Sequence, residues 1–159
     1  MHQYKITKYD PELYGAGGAY EGDDWTSMSE IGKEFDGAIL THSDYRRTES
    51  AYLEAIRLLA SSSGVSSLEV RDLEVDEDSG VSVREGGLVT IDQGLELCRM
   101  MLREGPVWCK LENGERFYVH VGYDYYMYIG SSGNDASEIS EIRESGLFVT
   151  ENFPSPYID

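Results

Sequence analysis

Two alternating runs, Val107 to Glu112 and Glu115 to Val121, flank the dipeptide Asn113-Gly114, and no other stretch constrains the fold of this chain as much. Alternation places every second side chain on one face of a strand. Asn-Gly suits a two-residue type I′ turn, whose twist matches that of the arms it joins. With Asn113 and Gly114 at its centre, Cys109 should face Tyr118, Lys110 should face Phe117, and Val107 should face His120. Phe117, Val119 and Val121 then share one face, while Tyr118 and His120 share the other with Cys109, His120 lying about 7–8 Å from Cys109 along the diagonal. Beyond Gly122 the run Tyr123-Asp124-Tyr125-Tyr126-Met127-Tyr128-Ile129-Gly130 predicts a third strand, completing an antiparallel meander.

The remaining elements follow from period and punctuation. His2 to Tyr9 alternates with Tyr4, Ile6 and Lys8 on one face and stops at Asp10-Pro11. Gly15, Gly17, Gly18 and Gly22 lie in a loop; it lacks the Lys-Ser/Thr ending of a phosphate loop, and Asp23 and Asp24 beside it would repel phosphate. Thr41 with Asp44 opens a helix over Ser43 to Ser62, buried along Tyr45, Tyr52, Ile56 and Leu59, with Glu49 and Glu54 off the stripe and Gly64 as its stop. Val65 to Val75 reads as a strand with Leu68, Val70 and Asp72 on one face and Glu69, Arg71 and Leu73 on the other, and Val81 to Arg84 as a shorter one. Thr90 and Gln93 form a capping box for a helix along Ile91, Leu95, Cys98 and Leu102; Asp135 and Glu138 suggest another before Ile139 and Ile142. Leu147 to Glu151 is a last strand, and Pro154-Ser155-Pro156-Tyr157 an extended tail. The order predicts one α+β domain over residues 1–159: a mainly antiparallel sheet of about five to six strands with about three helices mostly on one face.

Charge narrows the function. Thirty Asp and Glu stand against thirteen Lys and Arg, a formal net charge of −17. That field opposes nucleic acid and anionic lipid and steers cationic partners inward. Twelve Tyr and two Trp separate the chain from acidic disordered segments, which are poor in aromatics. The opening MHQYKIT lacks the features of a signal peptide, and no apolar run approaches membrane-spanning length, so the expected compartment is the cytoplasm. Cys98 and Cys109 are too few to suggest a disulfide scaffold.

Catalytic patterns are sparse. His2, His42 and His120 are scattered, and neither a zinc spacing nor an EF-hand loop occurs; Glu74, Asp76 and Asp78 alternate but lack the glycine and glutamate of a calcium loop. No cofactor and no metal are expected. Cys109 and His120 make a loose dyad at best, and Asp124 stands out as one acid among Tyr123, Tyr125, Tyr126 and Tyr128. Those tyrosines suit either a recognition face or the buried layer of a sheet.

Four phrases carry a resemblance: Tyr4 to Pro11, Asp24 to Lys33, Leu102-Arg103-Glu104 through Trp108-Cys109-Lys110-Leu111, and Phe117 to Gly130. In these the chain resembles small bacterial immunity proteins encoded beside polymorphic or contact-dependent toxins. The resemblance implies a cytoplasmic, non-enzymatic inhibitor that binds one cognate toxin domain, often a nuclease, and occludes its active site. Such a toxin presents a basic cleft, which carboxylates can fill where phosphates would lie. The expected contact residues are Asp72, Glu74, Asp76, Glu77 and Asp78, with Asp23, Asp24 and Trp25, joined or backed by Tyr123, Asp124, Tyr125 and Tyr126. The partner is then a basic protein, with no direct nucleic-acid or membrane contact and a monomeric inhibitor by default. Two other classes remain open: a small enzyme with a pocket near His120, Asp124 or Cys109, and an acidic adaptor module of a larger assembly.

Overall fold

One row of side chains crosses the molecule in register: Val70, Leu111, Val119, Ile129 and Tyr4, none more than 3% exposed. It is the middle of a seven-stranded antiparallel sheet in a computed structural model describing residues 1–159. The elements in chain order are β1 (His2–Thr7), β2 (Glu34–Phe35), β3 (Ala38–Ile39), α1 (His42–Ser62), β4 (Ser67–Val75), β5 (Leu88–Thr90), α2 (Ile91–Leu102), β6 (Val107–Asn113), β7 (Phe117–Val121), β8 (Met127–Ser131), α3 (Ala136–Glu144) and β9 (Phe148–Glu151). The sheet runs β5-β4-β6-β7-β8-β1-β9, and β2 and β3 form a separate ribbon. The fold is α+β as expected, with somewhat more strands. No helix is long and apolar enough to cross a membrane.

The helices cover one face. In α1, Tyr45, Tyr52, Ile56 and Leu59 are buried in the core with Leu95, Cys98 and Leu102 of α2 and Ile139 and Ile142 of α3. Thr41 caps α1 by accepting the Asp44 N–H at 3.1 Å, and Thr90 and Gln93 form a full capping box on α2, each cap contributing about 0.5–2 kcal/mol. Two expectations fail on these helices. Glu49 is not off the buried stripe: it is 4% exposed and accepts two hydrogen bonds from Arg103 at 2.7 and 2.8 Å and one from the Tyr45 hydroxyl at 2.8 Å. Burial pushes its pKa up, but those bonds outweigh burial and hold it below the usual carboxylate value. Asp135 makes no side-chain cap for α3. Its buried carboxylate instead accepts from Tyr4, Ser62 and Ser131 at 2.6–2.8 Å.

The strand boundaries shift where backbone groups find other partners. Val81 to Arg84 is not a strand; the chain leaves the sheet after β4 and returns at β5, where Leu68 faces Val89. A bulge in β4 places Asp72 and Leu73 opposite the single residue Cys109, with Asp72 at φ 52°. The extra residue moves Asp72 off the face of Leu68 and Val70 and onto Lys110, 2.8 Å away. The freed Asp72 and Leu73 N–H groups donate to Glu85 at 3.2 and 2.8 Å.

The central hairpin turns one residue later and wider than Asn-Gly suggests. Asn113 stays in the strand opposite Phe117, with Glu112 facing Tyr118 and Leu111 facing Val119. Side chains anchor both shoulders: Asn113 donates to the Ser67 carbonyl at 2.9 Å, and Arg116 to the Ser63 and Gly64 carbonyls at 3.0 and 2.9 Å. A register of changed parity exchanges faces. Cys109 therefore lies in the helix-side core with Val119 and Val121, and His120 lies on the opposite face, so the loose Cys109–His120 dyad does not form. Both cysteines are free and buried, and burial pushes the Cys109 thiol up to about 12.

That opposite face is covered by the tail. Phe153 donates its N–H to the Gln3 carbonyl at 3.0 Å, Ser155 lies against Tyr118, Tyr157 packs on Trp108, and Asp159 reaches Lys110 at 3.3 Å. The last residues thus cross from β1 over β7 to β6.

Candidate functional site

Asp124 and Tyr125 have φ of 57° and 67°, and the Tyr126 N–H closes the turn on the Tyr123 carbonyl at 3.1 Å. Two positive φ values at the centre of a hairpin mark a primed turn. It replaces the first half of the expected strand from Tyr123 to Gly130. A bulky aromatic residue there costs about 1–2 kcal/mol, and surrounding groups hold it. Tyr52 donates to the Tyr125 carbonyl at 2.7 Å, Tyr9 donates to the Asp124 carbonyl at 2.5 Å, and the Tyr125 ring is buried edge-on to Trp25 and Tyr52 at 5.0 Å. The Tyr125 hydroxyl donates to Tyr45, which donates to Glu49, which Arg103 clamps. Burial pushes Tyr45 up to about 12, so it keeps its proton in that chain. Tyr125 is thus an anchor, and it projects Tyr123, 82% exposed, and Asp124 into solvent.

Beneath that turn lies a recess of about 370 Å³, lined by Trp108, Tyr123 and Tyr157, by Glu74, Glu104 and Asp124, and by the residues that end α2. Trp108 is fixed by its indole N–H, which donates to the Val121 carbonyl at 2.8 Å. Gly122 allows the Tyr157 hydroxyl to approach where a Cβ would stand 2.9 Å from it. The Asp76 N–H donates to the Pro106 carbonyl at 2.9 Å, which sets the acidic loop Asp76-Glu77-Asp78 beside the mouth.

A second recess of about 580 Å³ opens around Trp25, with Asp23, Asp24, Asp36 and Asp44 on its wall and Leu13 and Ile39 exposed beside it. Trp25 packs on Tyr125, so the two recesses share one end of the sheet. The topology therefore brings together three segments singled out in the sequence, Asp23–Trp25, Glu74–Asp78 and Tyr123–Tyr126, and leaves Asp72 apart, on Lys110 beneath the tail. Neither recess is lined by Lys or Arg.

The individual residues differ in availability. Glu74, Asp76, Glu77, Asp78, Asp23 and Asp124 are exposed and enter no ion pair, whereas Asp24 pairs with Lys8 and Asp72 with Lys110, each at 2.8 Å. Lys110 holds the Asp72 carboxyl below its usual pKa, and Lys110 is raised in return. Trp25 is 7% exposed and Tyr125 2%, so both support the surface from beneath, while Tyr126 is half-buried against Tyr9. Sequence reading missed Glu104, Trp108 and Tyr157. Trp108 and Tyr157 are 49 positions apart, with no shared period to link them.

On the tail-covered face, His120 is 1% exposed and lies between Ser155 Oγ, 2.7 Å from Nδ1, and Glu112 Oε1, 3.0 Å from Nε2. Glu112 as acceptor places the ring proton on Nε2, and Ser155 then donates to Nδ1 while accepting the Tyr157 N–H at 3.1 Å. Burial drives the His120 pKa below its ordinary value against the pull of Glu112. The hydroxyl–imidazole–carboxylate order is that of a nucleophilic triad. Ser155 is buried, however, and as folded the network pins the tail. Asp124 lies in a different recess from His120, so the two do not form one pocket. No group of three or more His, Cys, Asp or Glu side chains is placed to hold a metal ion. No family model, curated protein or solved structure matches the chain.

Proposed function

We propose that this chain is an inhibitory binding protein of the immunity type, which neutralises a basic toxin domain, of nuclease kind, by laying the acidic end of its sheet into the toxin's cationic cleft in the cytoplasm. The observation that supports this reading most is the convergence of the unpaired carboxylates of Asp23, Glu74, Asp76–Asp78 and Asp124, from three distant segments, on one end that holds two recesses without a lysine or arginine. Uncompensated charge at one end raises encounter rates towards 10⁸ M⁻¹s⁻¹ at low salt, and the exposed Tyr123 among the acids supplies an aromatic anchor.

Purification with the product of the gene immediately upstream tests it. The expected result is a complex at low salt whose affinity falls as salt rises. A neighbour with no toxin-like domain, or two proteins that fail to associate at low salt, overturns the reading.

A second reading, a hydrolytic enzyme, draws on the Ser155–His120–Glu112 order alone. It requires the tail to lift. Turnover of p-nitrophenyl acetate that Ser155→Ala abolishes would favour it, and equal background rates in both proteins would remove it.

A further inference from the structure

We propose that the recess under the Tyr123–Asp124 turn is a slot for a single cationic side chain, lysine or arginine, presented by the partner; the partner's existence rests on the reading above, but the slot's chemistry does not. Its walls are aromatic faces. Trp108 and Tyr157 pack at 5.6 Å between ring centres, and Tyr123, 82% exposed, stands free at the mouth. Such faces attract a cation held over them by about 0.5–1 kcal/mol at exposed sites.

Two further features select the sign of the occupant. Glu74, Glu104 and Asp124 reach the recess from β4, the end of α2 and the primed turn, and none has a cationic partner within the fold. Met101 and Leu102, which end α2, line the recess together with Glu104 and Gly105, just past the C-cap Arg103. The negative end of the α2 dipole lies there and favours a cation, with the Met100 and Met101 carbonyls themselves taken by the Gly105 and Glu104 N–H groups at 2.8 and 3.1 Å. An anion would meet repulsion from every side, and a neutral apolar group would strip water from three carboxylates with nothing to pair them.

At about 370 Å³ the recess has room for one long side chain. Tyr157, on its wall, is held by its N–H on Ser155. The slot therefore suits a projecting side chain, with the acidic loop Asp76–Asp78 steering its approach.

The test uses the full ¹⁵N-labelled chain and the probe N-acetyl-argininamide, with N-acetyl-citrullinamide as its neutral counterpart of nearly the same shape. The two indole N–H signals report independently, because Trp108 lines the slot and Trp25 lies in the core of the other recess. The expected result is a saturable shift of the Trp108 indole and of the Glu104, Gly105, Tyr123 and Asp124 amides, with Trp25 unmoved and citrulline inert. Tyr123→Ala, at a side chain without packing partners, should weaken the arginine probe about 2- to 5-fold, the size of one exposed cation–π contact. Equal shifts from both probes, or arginine shifts spread over Asp23, Asp36 and Asp76–Asp78 with none at Trp108, overturn the slot. A basic partner that binds without moving Trp108 also overturns it and leaves the proposed function standing. A seated arginine probe with no basic partner does the reverse.

Discussion

Two regions of this molecule handle charge in opposite ways. Under the tail, His120 sits between Ser155 and Glu112, and Lys110 between Asp72 and Asp159. At the sheet's end, Glu74, Asp76, Glu77, Asp78, Glu104 and Asp124 have no cationic partner. Matched groups hold a segment in place, and their removal is a stability event. Unmatched groups repel one another and weaken the fold slightly, but their charge stays available to something outside it.

The largest test of that contrast is removal of the tail from Phe153 onward. Tyr118, Tyr128 and Trp108 would each lose the cover on one side, and at about half of the 1.5–3 kcal/mol for a fully uncovered large apolar side chain, the loss should reach about 2–5 kcal/mol in chemical denaturation. A loss below about 1 kcal/mol would mean that the tail only rests on the sheet.

Next in size is neutralisation of the acidic loop by Glu74→Gln, Asp76→Asn, Glu77→Gln and Asp78→Asn together. Association with the basic partner should slow about tenfold or more at low salt, with stability unchanged or raised by up to about 0.5 kcal/mol. A fold that instead loses stability would show the loop to be structural.

A smaller effect separates the regions by pH. His120 is buried with its pKa below the ordinary value, chiefly through burial, so the unfolded chain takes up the proton first as pH falls. Stability from the neutral ring is complete above pH about 6.5 and declines as pH falls below it towards the folded value. Lys110 adds to that decline, while Glu112 and Asp159 oppose it. Denaturation at pH 7 and pH 5.5 should show a steeper loss in the natural chain than in His120→Gln, and equal slopes would remove the ring from the account.

The smallest expected change is at Asp124. Glycine adopts its φ of 57° without strain, saving about 1–2 kcal/mol against about 0.4–1 kcal/mol of added unfolded-state entropy. Asp124→Gly should therefore stabilise by about 0.5–1 kcal/mol while weakening any cation held in the slot. Lost stability would show that the Asp124 side chain supports the turn.

Periodicity made most of the elements legible. The stripe Tyr45, Tyr52, Ile56 and Leu59 and the capping pair Thr90 and Gln93 are local patterns, and local patterns survive folding. Glu49 was misplaced because the arginine that neutralises it lies 54 positions away. The hairpin register was misread for a similar reason: Asn113 and Arg116 are held by carbonyls of Ser63, Gly64 and Ser67, so the turn that Asn-Gly would form in isolation gives way to tertiary hydrogen bonds. Of the site, Glu74, Asp76–Asp78, Asp124 and Tyr123 could be named from the chain; Trp108, Glu104 and Tyr157 could not.

By itself the amino-acid order determined an α+β chain with three helices, an antiparallel sheet and a large excess of negative charge, because hydrophobic period, caps and composition act over a few residues or over the whole chain. Only the tertiary structure decided which carboxylates are matched, which face His120 occupies, and that Tyr125 is buried while Tyr123 is free. Those outcomes depend on strand parity and on contacts between segments tens of residues apart, where one bulge at Asp72 or one primed turn at Asp124 exchanges inside for outside.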